Sequence, residues 1–193
     1  YRDSKNTRAW TTFTKTLGDW DVVLTPYVRD IDMNFIQHFL PGQPVEETAH
    51  QSIGLQSVAF TDLANGAQLA VGFDAEVTDG SLTQTQPNPT EGSFFLRNSI
   101  PQGKHYEYQV DIEQVAAFVS YEQSFQSGWD LSLGLRVEDT NYDYDNRMID
   151  GRTDEFGVAC RFGCRYNRPG DRSDSFTNLS PKLGLSYALN DSH

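Results

Sequence analysis

The chain has no long run of apolar residues. No stretch of it approaches the roughly 18 consecutive apolar residues of a membrane-spanning helix, which excludes helical membrane proteins. Apolar residues make up only 37% of the sequence, and the mean hydropathy is −0.56, which is low for a domain that must fill a two-layer interior. A transmembrane β-barrel is not excluded, because a lipid-facing strand needs apolar side chains only at every second position.

Basic residues are also scarce. The chain has 15 Lys and Arg against 27 Asp and Glu, a net charge of −12. This balance argues against nucleic acid as a partner, because nucleic-acid-binding surfaces are basic. No catalytic constellation appears, since the four histidines are scattered and no phosphate-binding Gly-rich loop or Ser-His-Asp pattern is present. The sequence therefore predicts no enzyme, no metal site and no cofactor.

Cysteine is limited to two residues, Cys160 and Cys164, in the run Cys-Arg-Phe-Gly-Cys. A zinc site would need further ligands, and the nearest histidine is His193. The sequence favours a disulfide that closes a small loop, which implies an oxidising compartment. Two unpaired thiols are the alternative.

The chain does contain strict alternation. In residues 179–189 apolar or aromatic side chains, with one Pro, alternate with polar or small ones. A strand has a side-chain period of two, so this pattern predicts one apolar and one polar face. Weaker versions of the pattern recur, and no helical segment lies between them. The predicted strands are residues 7–17, 20–40, 48–60, 67–78, 106–125, 129–142 and 177–189.

The connections between these strands alternate in length. Short turns contain Gly18-Asp19, Asn65-Gly66 and Ser127-Gly128, and Asn190-Asp191-Ser192 begins another. The other connections are long: residues 41–47, 79–105 and 143–176. Outer-membrane barrels show this asymmetry, with short periplasmic turns and long extracellular loops. The fold expected is therefore all-β, an antiparallel up-and-down transmembrane β-barrel segment.

Two finer features are expected. Aromatic residues that border the short turns predict half of an interfacial girdle. A change of phase near residues 113–115 predicts a β-bulge in the fifth strand. The predicted girdle residues are Trp20, Phe60, Phe125 and Trp129.

Three segments resemble strands of TonB-dependent outer-membrane receptors. The most specific is residues 176–187, Phe-Thr-Asn-Leu-Ser-Pro-Lys-Leu-Gly-Leu-Ser-Tyr. Residues 132–138, Ser-Leu-Gly-Leu-Arg-Val-Glu, and 115–122, Val-Ala-Ala-Phe-Val-Ser-Tyr-Glu, are similar to the two strands that usually precede it. The resemblance covers most of the chain.

The resemblance implies an importer in the bacterial outer membrane that takes up ferric siderophores or other chelated nutrients. Such receptors have a barrel of about 22 strands around a plug domain that engages TonB. Residues 1–193 contain neither a plug nor a C-terminal closing strand, so we expect a partial barrel of about seven strands. Its partners would be the iron complex, outer-membrane lipid and lipopolysaccharide, and the TonB complex through the absent plug.

The last long loop is rich in arginine beside the two cysteines. Guanidinium groups pair bidentately with carboxylates, and neighbouring aromatic rings can stack on a catecholate. We expect this loop to contact an anionic ligand; the alternative is a solvated loop whose arginines meet lipopolysaccharide phosphates or local acids. The predicted contact residues are Arg161, Phe162, Arg165, Tyr166 and Arg168.

Two other functional classes remain open from the sequence. One is a soluble β-sandwich that acts as a binding module. The other is a small outer-membrane barrel that does not transport. Long loops disfavour the small barrel, and the lack of a second apolar sheet disfavours the sandwich.

Overall fold

A single antiparallel sheet dominates the computed structural model, which describes residues 1–188. Neighbouring strands along the chain are neighbours in the sheet, in the order β1-β3-β4-β5-β6-β7-β8, with β2 also paired to β3. This confirms the predicted all-β up-and-down fold. The elements are β1 Arg2–Trp10, β2 Phe13–Leu17, β3 Trp20–Ile36, β4 Val45–Asp62, β5 Ala67–Gln86, α1 Phe94–Arg97, β6 Gly103–Ser124, β7 Trp129–Asn146 and β8 Arg172–Tyr187.

The eight strands occupy seven positions across the sheet, because β1 and β2 share one position beside β3. β1 and β2 both pair with β3, and the register continues from Trp10 opposite Tyr27 to Phe13 opposite Leu24. Between them lies Pro26 of β3, which has no N–H to donate and so weakens the ladder at this point. The two segments therefore behave as one strand with a local gap.

One face of the sheet, here called the outer face, carries a continuous apolar belt. On each of β5, β7 and β8 five consecutive outer-face positions are apolar or aromatic, and together they span nine residues. A tilted strand needs roughly 9–11 residues to cross a bilayer, so the belt has the height of a hydrocarbon core. Its members on these strands are Leu69, Val71, Phe73, Ala75, Val77, Trp129, Leu131, Leu133, Leu135, Val137, Leu179, Pro181, Leu183, Leu185 and Tyr187.

The belt ends sharply on the side of the long loops. The next outer-face residues are Asp79 on β5, Glu113 on β6 and Asp139 on β7. Above this line the outer face is polar, and the hairpins continue well beyond the belt. The inner face carries apolar and aromatic side chains there, among them Ile112 and Tyr108 of β6 and Tyr142 of β7. On β5 and β8 the alternation ends with the belt, which explains why these strands extend further towards the loops than the sequence predicted.

The predicted bulge near residues 113–115 is wrong, because pairing is regular through this region. The change of phase marks the point where β6 leaves the belt and its outer face becomes polar. The register shift lies instead at Gln84/Thr85, opposite Lys104 and Tyr106. It leaves His105 without a cross-strand partner.

The predicted girdle is partly wrong. Trp20 and Trp129 lie on the outer face, and Trp129 packs against Tyr187 with ring centroids 4.8 Å apart. Phe60, however, pairs with Asp21 and Ala70 on the opposite face. Alternation decides this, since Phe60 falls one residue out of phase with the apolar positions of β4.

The sheet is open within residues 1–188. β1 pairs with β3 alone and β8 with β7 alone, so each leaves one unpaired edge. A closed small barrel and a two-sheet sandwich both require pairing or packing that these residues do not show. Among the described residues no helix is long and apolar enough to cross a membrane. The predicted turn at residues 190–192 lies outside the described residues.

We predict that charge is tolerated on one face of β7 and not on the other. Leu133→Arg places a cation in the belt and should destabilise the full-length receptor by about 2–4 kcal/mol. Ser132→Arg, on the opposite face, should cost much less. The measurement is the free energy of unfolding in lipid, followed through the heat-dependent mobility of the folded barrel. Equal losses for the two variants would contradict the assignment of faces.

Candidate functional site

The three long loops lie at one end of the sheet and the three short turns at the other. The loops are residues 37–44, 87–102 and 147–171, here called the first, second and third loops. The alternation of connection lengths predicted from the sequence is therefore confirmed. The second and third loops are shorter than predicted because the strands beside them are longer, whereas the first loop begins earlier than predicted because β3 ends at Ile36.

The first and second loops are joined by Gln86 at the end of β5. This side chain is fully buried, and its Nε2 donates to the carbonyl oxygens of Gly42 and Asn88. A side chain on Gly42 would collide with Gln86, and Gly42 has a φ of 88°, so only glycine fits there. The two loops are thus built against one another.

The third loop folds around a disulfide. Cys160 and Cys164 are bonded, with Cα atoms 5.0 Å apart. Arg152 Nε donates to the Cys164 carbonyl at 2.8 Å, which ties the closed ring to the earlier part of the loop. The ring presents its intervening residues, Arg161 and Phe162, to solvent.

Arginine and phenylalanine side chains from two loops meet on the exposed surface. The Arg161 guanidinium lies 5.0 Å from the ring centre of Phe94 in α1, and the Arg165 guanidinium lies 5.6 Å from that of Phe95. Phe162 packs on both rings, with centroids 5.9 and 5.5 Å apart. We call these five residues the Arg–Phe surface. Its cations retain free N–H donors and its rings remain partly exposed, so it can accept an anionic aromatic molecule.

Tyr166 and Arg168, expected as ligand contacts, lie in the interior of the loop. Residues 164–168 alternate as a strand does, with Cys164, Tyr166 and Arg168 buried and the residues between them exposed. Arg168 is 1% exposed, so its guanidinium is out of reach of a ligand in solvent. The side-chain period of two within this segment is the sequence signal that distinguishes its buried residues from its exposed ones.

Tyr166 packs on His105, the residue left unpaired by the register shift. The two rings stack with centroids 4.4 Å apart, and His105 Nε2 donates to the Pro101 carbonyl at 2.8 Å. His105 is only 4% exposed, and burial lowers its pKa, with the Arg168 guanidinium acting in the same direction. Burial also raises the pKa of the Tyr166 hydroxyl. Sequence reasoning did not single out His105, because it placed the register shift elsewhere on β6.

The inner face carries a second polar arrangement at the depth of the belt. Arg29 on β3 pairs with Glu76 on β5 at 2.9 Å, and Arg136 on β7 pairs with Asp74 on β5 at 2.6 Å. Each pair joins strands that are two apart in the sheet, as on the concave side of a curved wall. Sequence reasoning did not identify either pair.

Aromatic rings lie over glycines on the same inner face. The Tyr27 ring covers Gly54 directly opposite, and its hydroxyl donates to Glu76. Phe118 covers Gly72 in the same way. A Cβ at either glycine would overlap the ring, so the absence of a side chain lets each ring lie flat on the neighbouring strand.

Residues 1–193 match the family model described as TonB dependent receptor-like, beta-barrel. The chain belongs to this family. A comparison with curated proteins finds no significant match. TonB-dependent receptors are transporters rather than enzymes; they reside in the bacterial outer membrane and bind TonB and the ligands they carry. Within residues 1–188 no group of three His, Cys, Asp or Glu side chains could hold a metal ion.

We predict that acid loosens the third loop of this receptor through His105. The folded pKa is lowered while the unfolded ring keeps its ordinary value of about 6.5, so the unfolded loop binds more protons below that pH. The stability contributed by the neutral, stacked ring is therefore present above about pH 6.5 and is lost as the pH falls below it. Hydrogen exchange of residues 149–168, corrected for intrinsic rates, should quicken on acidification.

His105→Gln is the matched variant, because its amide can donate to Pro101 but does not titrate. In this variant the corrected exchange rates of the loop should no longer depend on pH in this range. An unchanged pH dependence would show that another group is responsible.

Proposed function

We propose that the chain is part of a TonB-dependent receptor that imports a chelated nutrient, a ferric siderophore or a similar iron complex. In this proposal it supplies barrel wall and extracellular loops. The observation that carries the ligand class is the Arg–Phe surface, where two guanidinium groups and three aromatic rings converge on the exposed side of the outer loops.

The chemistry of this surface suits an anionic, partly aromatic chelate. Iron complexes of catecholates and carboxylates carry negative charge on oxygens, which guanidinium groups bind as paired donors. Aromatic ligand rings can stack on exposed rings such as Phe162, which is 46% exposed. In a chain with a net charge of −12, the guanidinium groups of Arg161 and Arg165 also provide local attraction for an anion.

The remaining partners follow from the position of the belt. Outer-membrane lipid would cover the apolar outer face, and lipopolysaccharide would meet the polar strand ends above Asp79 and Asp139. The TonB complex would act through a plug domain outside residues 1–193. The unpaired edges of β1 and β8 support the further proposal that this chain forms part of a larger barrel, of about 22 strands.

We predict that the double variant Arg161→Ala/Arg165→Ala weakens binding of a ferric tris-catecholate complex to the full-length receptor. The dissociation constant should rise about tenfold or more, the effect expected when hydrogen bonds to charged groups are lost. Arg172→Ala is the control, because Arg172 is also an exposed outer arginine but pairs with Asp174.

The measurement is equilibrium binding of the radiolabelled iron complex to outer membranes, with receptor amount determined separately. If the double variant and the parent receptor bind the complex with equal affinity, the Arg–Phe surface does not contact the ligand. The nutrient itself is tested by growth of a receptor-deleted strain that carries the cloned receptor. If this strain grows with none of the iron complexes supplied as the sole iron source, the iron assignment is contradicted.

A further inference from the structure

The largest of the fully buried side chains in the outer loops is a charged one, Arg168, which is 1% exposed. Arg168 Nε donates to the Ile149 carbonyl at 2.6 Å, and Nη1 donates to the His105 carbonyl at 3.1 Å. Nη2 reaches the Thr153 carbonyl and hydroxyl, both at 2.8 Å, and the Asp154 carbonyl at 3.0 Å. All five acceptors are neutral oxygens, so the guanidinium serves as a cross-link and not as half of an ion pair.

These acceptors belong to separate parts of the chain. Ile149, Thr153 and Asp154 lie in the first half of the third loop, Arg168 in the second half, and His105 at the start of β6. The backbone adds a bridge between Gly151 and Arg168. Arg168 therefore closes the third loop on itself and fastens it to the sheet.

The ring of Tyr166 completes this arrangement. It stacks on His105, with centroids 4.4 Å apart, and the Arg168 guanidinium lies 5.4 Å from its ring centre. We call His105, Tyr166 and Arg168 the clamp. The tyrosine ring thus contacts both an aromatic ring and a cation.

The clamp is directly continuous with the Arg–Phe surface. Arg165 lies between two buried residues, Cys164 and Tyr166, and its backbone N–H donates to the Ser99 carbonyl just after α1, at 3.0 Å. Because Tyr166 is fixed, the neighbouring Arg165 must leave the loop towards Phe95. The disulfide between Cys160 and Cys164 also restricts the position of Arg161, which lies inside the closed ring.

We propose that Arg168 is a positioning residue, which acts through the clamp to hold Arg161, Phe162 and Arg165 over α1 in the arrangement that meets the ligand. This inference rests on the proposed function for its ligand but not for its geometry. Lysine cannot replace Arg168, because a single ammonium group cannot span acceptors on three separate segments.

The test compares Arg168→Lys with Arg147→Lys in the full-length receptor. Arg147 lies in the same loop but is exposed and paired with Asp145, so its substitution should change nothing. We expect Arg168→Lys to raise the dissociation constant for the ferric tris-catecholate complex about tenfold while the number of sites per folded receptor stays constant. Fewer sites with an unchanged dissociation constant would mean a purely structural role and would overturn the proposal.

A second readout needs no ligand. Trypsin should cut the bond between Arg165 and Tyr166 faster in Arg168→Lys than in the parent receptor, because loss of the clamp exposes Tyr166. An unchanged cleavage rate would overturn the positioning role. If the double variant at Arg161 and Arg165 leaves ligand binding unchanged while trypsin cuts Arg168→Lys faster than the parent receptor, the ligand proposal fails and the clamp stands.

Thr153→Ala guards against a failure of Arg168→Lys to fold. It removes one acceptor of the guanidinium, the hydroxyl at 2.8 Å, and leaves the charge in place. Its dissociation constant and its cleavage rate should shift in the same direction by a smaller factor. No shift in either quantity would overturn the proposal.

Discussion

On β5, β7 and β8 the outer face is apolar over the height of a membrane, and the rest of the structure depends on this constraint. Because side chains of a strand alternate between its two faces, the constraint applies to every second residue. A slip of one position would bring inner-face charges such as Arg136 and Asp74 into the belt. The register is therefore fixed by burial in lipid. The same rule leaves the inner face free for polar pairs, and for rings that lie over Gly54 and Gly72.

Outside the belt the outer face no longer has to be apolar, and other interactions determine the structure of the hairpins. The outer face is polar there and the inner face carries apolar and aromatic side chains such as Ile112 and Tyr108. Hydrogen bonding determines the structure of the loops. The loops are held by a few buried polar side chains, among them Gln86 and Arg168, that donate to backbone carbonyls from different segments. This is how a surface made of exposed arginine and phenylalanine side chains can be held in a defined arrangement without a hydrophobic core beneath it.

Sequence reasoning predicted well the features that depend on period and turn chemistry. The strand order, the sorted loop lengths and the belt on β7 and β8 follow from alternation and from Gly-containing turns. It misplaced the bulge, because a strand that leaves the membrane changes its apolar phase without changing its register. It misplaced Phe60 because position beside a turn was used and not the phase of the alternation on β4. It named the arginine-rich loop but not its organisation, since contacts with Phe94, Phe95 and His105 join residues about 60 to 70 positions apart.

The most direct test of the central claim is the lipid exposure of successive residues along β7. Single spin labels at positions 131 to 139 of the full-length receptor, reconstituted in bilayers, report collisions with oxygen from the lipid and with a water-soluble relaxant. We predict that oxygen contact peaks at Leu133, Leu135 and Val137, falls at the residues between them, and gives way to water at Asp139. Water contact at Leu133 and Leu135 equal to that at Asp139 would contradict the account.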